Sequence, residues 1–223
     1  MTRLCPLGDR ALLAYFADED SAARFAAAAR AAHEPGWLDV VPAYLSVAIH
    51  FDPERATIDA VAERMRSLAA APLPAIEPRR HVIPCCYEMG PDLPRVAEFT
   101  GLTPDEIVRL HTSVDFTVYA IGFCPGFPYL GYLPAELSGV PRLESPRLRV
   151  EPGSVGLTCR QTGIYPLPRP GGWNLIGRTP LLLVDVAENF FPLKVGDRVR
   201  FECVGEATFR QLTKKRVTDV QNA

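Results

Sequence analysis

The chain has 223 residues, with 24 basic against 26 acidic side chains, a formal charge of −2 and 48% hydrophobic residues. That length accommodates one large domain or two small ones, each with its own core, and the near-neutral charge argues against nucleic acid or an anionic membrane as the main partner. No apolar run approaches the ~18–20 residues that span a bilayer, and Met1–Pro6 carries no secretory hydrophobic stretch, so a cytoplasmic protein is expected.

Strand and helix patterns alternate over the first part of the chain. Ala11–Phe16 reads as a strand, and Asp20 or Ser21 is placed to cap an alanine-rich helix running to about Ala32. Leu38–Val41 and Ser46–Phe51 read as two further strands with Pro42 as an interruption between them. Ile58, Val61, Ala62, Met65, Leu68 and Ala69 then share one helical face behind the cap Thr57. This order predicts an N-terminal α+β sandwich over residues 1–75.

The proline-rich stretch Pro72–Arg80 reads as a linker, and a second domain is expected over 80–215. It opens with a strand, His81–Tyr87. Asp92 is placed to cap a short helix ending at Gly101, and Thr103-Pro104-Asp105-Glu106 forms a capping box for another that ends near His111. Asp115–Gly122 alternates as a strand. Gly122 to Gly177 then holds 10 of the 16 glycines and 9 of the 22 prolines, which predicts short strands and tight turns in a closed barrel. Leu181–Asp185 and Arg198–Cys203 read as later strands, the second preceded by the turn Val195-Gly196-Asp197, and Thr213–Ala223 reads as a polar tail.

Only Lys194, Lys214 and Lys215 are lysines; the other 21 of the 24 basic residues are arginine. No Walker-type phosphate loop occurs, and no lysine is well placed for a Schiff base. The ionisable residues of the glycine-rich stretch are Arg142, Arg147, Arg149, Arg160, Arg169 and Arg178 against Glu136, Glu144 and Glu151. Glycine lets backbone approach a ligand and arginine offers a planar fork to carboxylate or phosphate, so the pattern fits either a small anionic substrate or plain turns with solvated arginines.

The six cysteines show no metal-ligand spacing and are expected as reduced thiols, with no metal site. Cys124 is a candidate nucleophile beside His111. Of the four histidines, His111 is the best placed for chemistry, because a helix C-terminus favours its protonated form.

The runs Gly122-Phe123-Cys124-Pro125-Gly126-Phe127-Pro128-Tyr129-Leu130-Gly131 and Pro141-Arg142 with Ser145-Pro146-Arg147 resemble the family of the 5-oxoprolinase B subunit. So do Pro152–Gly156, Gln161–Pro166 and Pro170–Thr179, with Leu7–Arg10, Gly90–Leu93, Leu110-His111 and Val195–Asp197 as smaller matches. The family is also known as allophanate hydrolase subunit 1, carboxyltransferase C/D subdomain, or sensor-kinase inhibitor. Cys159-Arg160 and Glu151-Pro152 depart from its usual pattern.

The resemblance implies an α+β chain of two domains, an N-terminal α+β sandwich and a C-terminal cyclophilin-like β-barrel. It implies a subunit of an ATP-dependent enzyme that opens the lactam 5-oxo-L-proline to L-glutamate. ATP, with Mg2+, is expected at an inter-subunit site. The expected partners are an allophanate hydrolase subunit 2-like protein (the 5-oxoprolinase C subunit) and a lactam-handling A subunit.

In that chemistry Arg142, Arg147 and Arg178 are candidates for binding carboxylate or phosphate, Gln161, Thr162 and Tyr165 for orienting substrate or water, Trp173 for an apolar wall, and His111 for acid–base catalysis. Two alternatives come with the family: inhibition of a sensor histidine kinase through an exposed face with Phe127, Tyr129 and Trp173, and hydrolysis of allophanate.

Overall fold

The computed structural model describes residues 1–221, which divide into two compact units, Met1–Pro78 and Arg79 onward. In the first, β1 (Arg3–Pro6), β2 (Ala11–Tyr15), β3 (Trp37–Ala43) and β4 (Ser46–Phe51) form an antiparallel sheet in the order β1-β2-β4-β3. Helices α1 (Glu19–Ala31) and α2 (Ile58–Ala70) supply Phe25, Val61 and Met65 to a core completed by Leu12, Val47, Ile49 and Phe51 of the sheet.

Local chemistry sets the helix starts. Thr57 caps α2 as expected, whereas α1 begins earlier than the sequence suggests, because Asp18 Oδ1 accepts from the Ser21 N–H at 2.7 Å. Pro42 does not interrupt the third strand. It pairs with Val47 one step from the closing pair Ala43–Ser46, so its nitrogen points away from β4 and no ladder bond is lost.

The second unit contains β5 (Arg80–Cys85), α3 (Leu93–Thr100), α4 (Pro104–Thr112), β6 (Asp115–Ile121), β7 (Pro128–Gly131), β8 (Arg147–Val150), β9 (Ser154–Thr158) and β10 (Gln161–Ile164). It continues with β11 (Arg169–Gly171), β12 (Asn174–Arg178), β13 (Arg198–Cys203), α5 (Glu206–Leu212) and α6 (Val217–Gln221). Seven strands run in the order β5-β13-β6-β7-β10-β9-β12, parallel only between β5 and β13. Strands β8 and β11 form a separate two-stranded ribbon. The architecture is mixed α/β, dominated by antiparallel sheet.

The expected closed barrel is not what the ladders make. Strands β12 and β5 share no ladder, and their ends meet in a single antiparallel bridge in which Cys86 and Arg178 exchange backbone hydrogen bonds of 2.8 and 3.0 Å. Beyond Cys86 the chain turns at once into a 3-10 turn, Tyr87–Met89, which leaves no further residues to pair. Two glycines let the backbones come this close. A Cβ on Gly177 would lie 2.6 Å from Cys85 Sγ, and one on Gly90 would lie 2.2 Å from the Ile176 carbonyl.

Two other expectations fail. Leu181–Asp185 is not a strand, since Leu182 and Asp185 make only isolated bridges. Its apolar side chains Leu181, Leu183 and Val184 are buried as plugs, while the Asp185 carboxylate accepts from the Ala187 and Glu188 N–H groups and turns the chain. The segment from Thr213 is not a free tail either, because α6 anchors it through the fully buried Val217. Asn222 and Ala223 lie outside the described residues. No helix among those described is long and apolar enough to cross a membrane.

Candidate functional site

One aromatic cluster gathers the motifs of the glycine-rich stretch. Phe127 sits edge-on to Tyr165 and Trp173, with ring centroids 5.1 and 5.5 Å away, and Tyr129 packs against Phe127 at 5.0 Å. Cys124, Val150 and Leu175 complete the packing. Glycines make room for the rings. A Cβ on Gly163 would stand 2.9 Å from Phe127 and 3.0 Å from Trp173, and one on Gly171 would stand 2.5 Å from the Tyr165 hydroxyl. The loop joining β6 to β7 is drawn tight by backbone bonds from Gly122 N to Phe127 O (3.1 Å) and Phe127 N to Cys124 O (3.1 Å).

Three guanidinium groups reach this cluster. Arg142 favours the ionised forms of the Tyr129 and Tyr165 hydroxyls electrostatically, Arg147 does so at Tyr165, and Arg169 does so at the Cys124 thiol. Burial pushes both tyrosine hydroxyls and the thiol above their ordinary values, and the arginines oppose it only in part. All three groups therefore stay protonated and neutral near pH 7, which leaves a cationic rim over an uncharged aromatic floor.

Arg147 is the most firmly held of the three. Its Nη2 donates to Asp92 Oδ1 at 2.6 Å, while Asp92 Oδ2 accepts from the Leu175 N–H at 2.7 Å. Asp92 stands at the N-terminus of α3 without capping it, because its carboxylate is spent on these two donors. The buried Nη1 of Arg147 has no hydrogen-bond partner. Exposed Arg142 has neither hydrogen bond nor ion pair among the described residues.

A second arrangement lies in the core beneath. Thr162 Oγ1 donates to the Gly156 carbonyl at 3.0 Å and contacts His111 Nε2 at 2.9 Å, and His111 Nδ1 lies 2.7 Å from the Tyr87 hydroxyl. A hydroxyl has one proton to give, so Thr162 accepts from Nε2–H and Nδ1 accepts from Tyr87, which assigns the neutral Nε2–H tautomer. Complete burial pulls the imidazole down to about 3.

Residues 2–192 match the family described as the carboxyltransferase domain, subdomain C and D. The chain belongs to this family. It is 36% identical to the 5-oxoprolinase B subunit of Bacillus subtilis over 91% of its own length and 93% of that protein. It is 42% identical to the 5-oxoprolinase B subunit of Escherichia coli O157:H7 over 75% of its length and 78% of that protein. The crystal structure of TTHA0988 superposes with a TM-score of 0.78 at 38% identity over 87% of this chain, which spans 40% of that longer protein.

Within this carboxyltransferase-family fold the site residues expected from sequence separate. Arg142, Arg147, Tyr165 and Trp173 come together at the aromatic cluster, Tyr165 and Trp173 as buried members of it. Half-buried Gln161 holds its place in the ladder opposite Gly131 and Thr158. Arg178 does not join the rim. Its Nε donates to the Pro152 carbonyl at 3.0 Å and its backbone makes the bridge to Cys86.

His111 and Thr162 are sealed in the core, so the expected protonated imidazole gives way to a neutral one: desolvation outweighs the helix dipole. Cys124 is not beside His111, whose ring neighbours are Tyr87, Phe116 and Phe201. Nor do Phe127 and Trp173 offer an exposed docking face, since both are buried.

Sequence reasoning passed over three residues. Arg169 was one of six arginines with no local mark, Asp92 read as a helix cap, and Phe123 was part of a motif with no role of its own.

Proposed function

We propose that this chain is the B subunit of a 5-oxoprolinase complex that opens 5-oxo-L-proline to L-glutamate at the expense of ATP. The observation that carries the reading is the likeness to the Bacillus subtilis protein of that name over nine-tenths of both chains. The surface above the buried cluster suits the substrate: a small flat lactam bearing one carboxylate can lay its ring on apolar side chains left open there, such as Phe123, and give its charge to a guanidinium fork. Arg142, with no partner of its own, takes the carboxylate, and Arg147 is set in place by Asp92. Half-buried Tyr129 stays protonated and supplies a hydroxyl proton for the lactam oxygen.

These residues fit one carboxylate and do not form a triphosphate cradle. No lysine lies in the stretch, and no group of three His, Cys, Asp or Glu side chains suited to a metal ion occurs among the described residues. ATP supplies the phosphoryl group that activates the lactam carbonyl. In our reading it is held with its magnesium ion at a surface completed by one of the two partner proteins. His111 and Thr162 hold β10 against α4 and carry no proton to substrate.

Reconstitution with the two partner proteins, the lactam-handling one and the allophanate hydrolase subunit 2-like one, tests the reading through ATP-dependent glutamate formation. Arg142→Ala is expected to raise KM for 5-oxo-L-proline about ten- to a hundredfold, as removal of one charge-assisted contact does. An unchanged KM removes Arg142 from the substrate site.

A further inference from the structure

Phe123 stands apart from the ring cluster it belongs to. Its φ is +66°, a left-handed conformation that is strained for a bulky side chain. The strain is not repaid by burial, because Phe123 is 58% exposed while Phe127 beneath it is 2% exposed. Its ring still meets Phe127 edge-on at 5.5 Å and Tyr165 at 6.2 Å, so it is oriented and does not simply trail into solvent.

The backbone around it is fixed on both sides. Cys124 N donates to Gly122 O at 2.7 Å, and Gly126, at φ +74°, lies so close to Val184 that a Cβ there would stand 2.1 Å from its methyl carbon. The Tyr165 hydroxyl beside this turn lies in the field of Arg142. A tight, strained turn thus holds one apolar ring face open to solvent over an aromatic cluster whose tyrosine hydroxyls feel the charge of exposed Arg142. A folded chain gains nothing from that arrangement by itself; a flat anionic ligand does.

We propose that Phe123 is a specificity-determining residue, whose exposed ring packs against the uncharged face of the lactam while Arg142 takes its carboxylate. The inference rests on the 5-oxoprolinase reading above and adds to it the surface that recognises the ring. It predicts that affinity depends on the aromatic side chain and not on the backbone conformation.

The test uses the reconstituted three-protein enzyme with F123A, F123G and F123W, under saturating ATP. F123G removes the ring and also relieves the left-handed strain, so it separates the two roles. The expected result is a rise in KM for 5-oxo-L-proline of about three- to tenfold in both F123A and F123G, with F123W within about twofold of wild type and kcat less affected throughout. Melting temperatures are expected to stay close to wild type, since the side chain is largely exposed. A wild-type KM in F123G overturns the inference, as does an unchanged KM accompanied by loss of co-elution with the partner proteins, which makes Phe123 an assembly contact. If the wild-type complex forms no glutamate at all, the 5-oxoprolinase reading fails and takes the inference with it.

Discussion

Acidification from pH 6.5 to pH 3 is expected to remove about 5 kcal/mol of stability through His111 alone. In the unfolded chain this imidazole takes a proton near 6.5, whereas in the fold it does so only near 3, because the site is fully buried. Between those values the unfolded chain binds more protons, so each step down in pH favours unfolding. The contribution is complete above pH 6.5 and gone below pH 3, and a shift of this size corresponds to about 5 kcal/mol. Carboxylates add a similar trend; Asp197, held low by hydrogen bonds from His81 and the backbone, is one of them. The comparison that isolates His111 is therefore with His111→Gln, which can donate to Thr162 and accept from Tyr87 but cannot titrate. Urea unfolding at a series of pH values is expected to show a much steeper loss in the wild type than in the variant. Equal slopes would mean that His111 is not held neutral in the core.

Gly90→Ala is expected to cost about 3 kcal/mol or more, toward the upper end for overpacking a close contact. The added methyl carbon would fall 2.2 Å from both the carbonyl carbon and oxygen of Ile176 and 2.7 Å from the Gly177 nitrogen. Those neighbours are backbone atoms of β12 and cannot swing aside as a side chain would. The strain falls beside the single bridge joining Cys86 to Arg178, so the two ends of the sheet must part to relieve it. Gly122→Ala is the control, because its Cβ would meet only Tyr129, at 3.8 Å, and it should melt within about 2 °C of wild type. Equal melting temperatures for the two variants would show that the seam is looser than this geometry requires.

What could be read from the sequence is what short-range chemistry decides. Thr57 and the Thr103–Glu106 capping box are written within four residues and appear in the fold as expected. Pro42 misled because whether a proline breaks a strand depends on which way its nitrogen faces, and that is set by register with β4. Asp92 misled for a similar reason. Its carboxylate can cap α3 or serve Arg147 and Leu175, and the outcome depends on residues more than fifty positions away.

The candidate site divides along the same line. The glycine-rich, arginine-rich composition of residues 122–178 points to the right surface, since the glycines are needed where Phe127, Tyr165 and Trp173 crowd the backbone. Which arginines reach it was not legible. Arg178 and Arg169 look alike in sequence, yet one is bound to a carbonyl beside the seam and the other acts electrostatically on the Cys124 thiol. His111 shows the limit most plainly. Its place at a helix end was readable, but its burial arises from β10 and β13, which come from distant parts of the chain and supply Thr162 and Phe201.

The 5-oxoprolinase reading rests on one measurement, the release of L-glutamate from 5-oxo-L-proline by this chain purified together with the two proteins proposed as its partners. ATP-dependent glutamate formation is expected when all three are present, and its loss when this chain is left out. Glutamate formed at an undiminished rate without this chain would show that it is not a subunit of that enzyme.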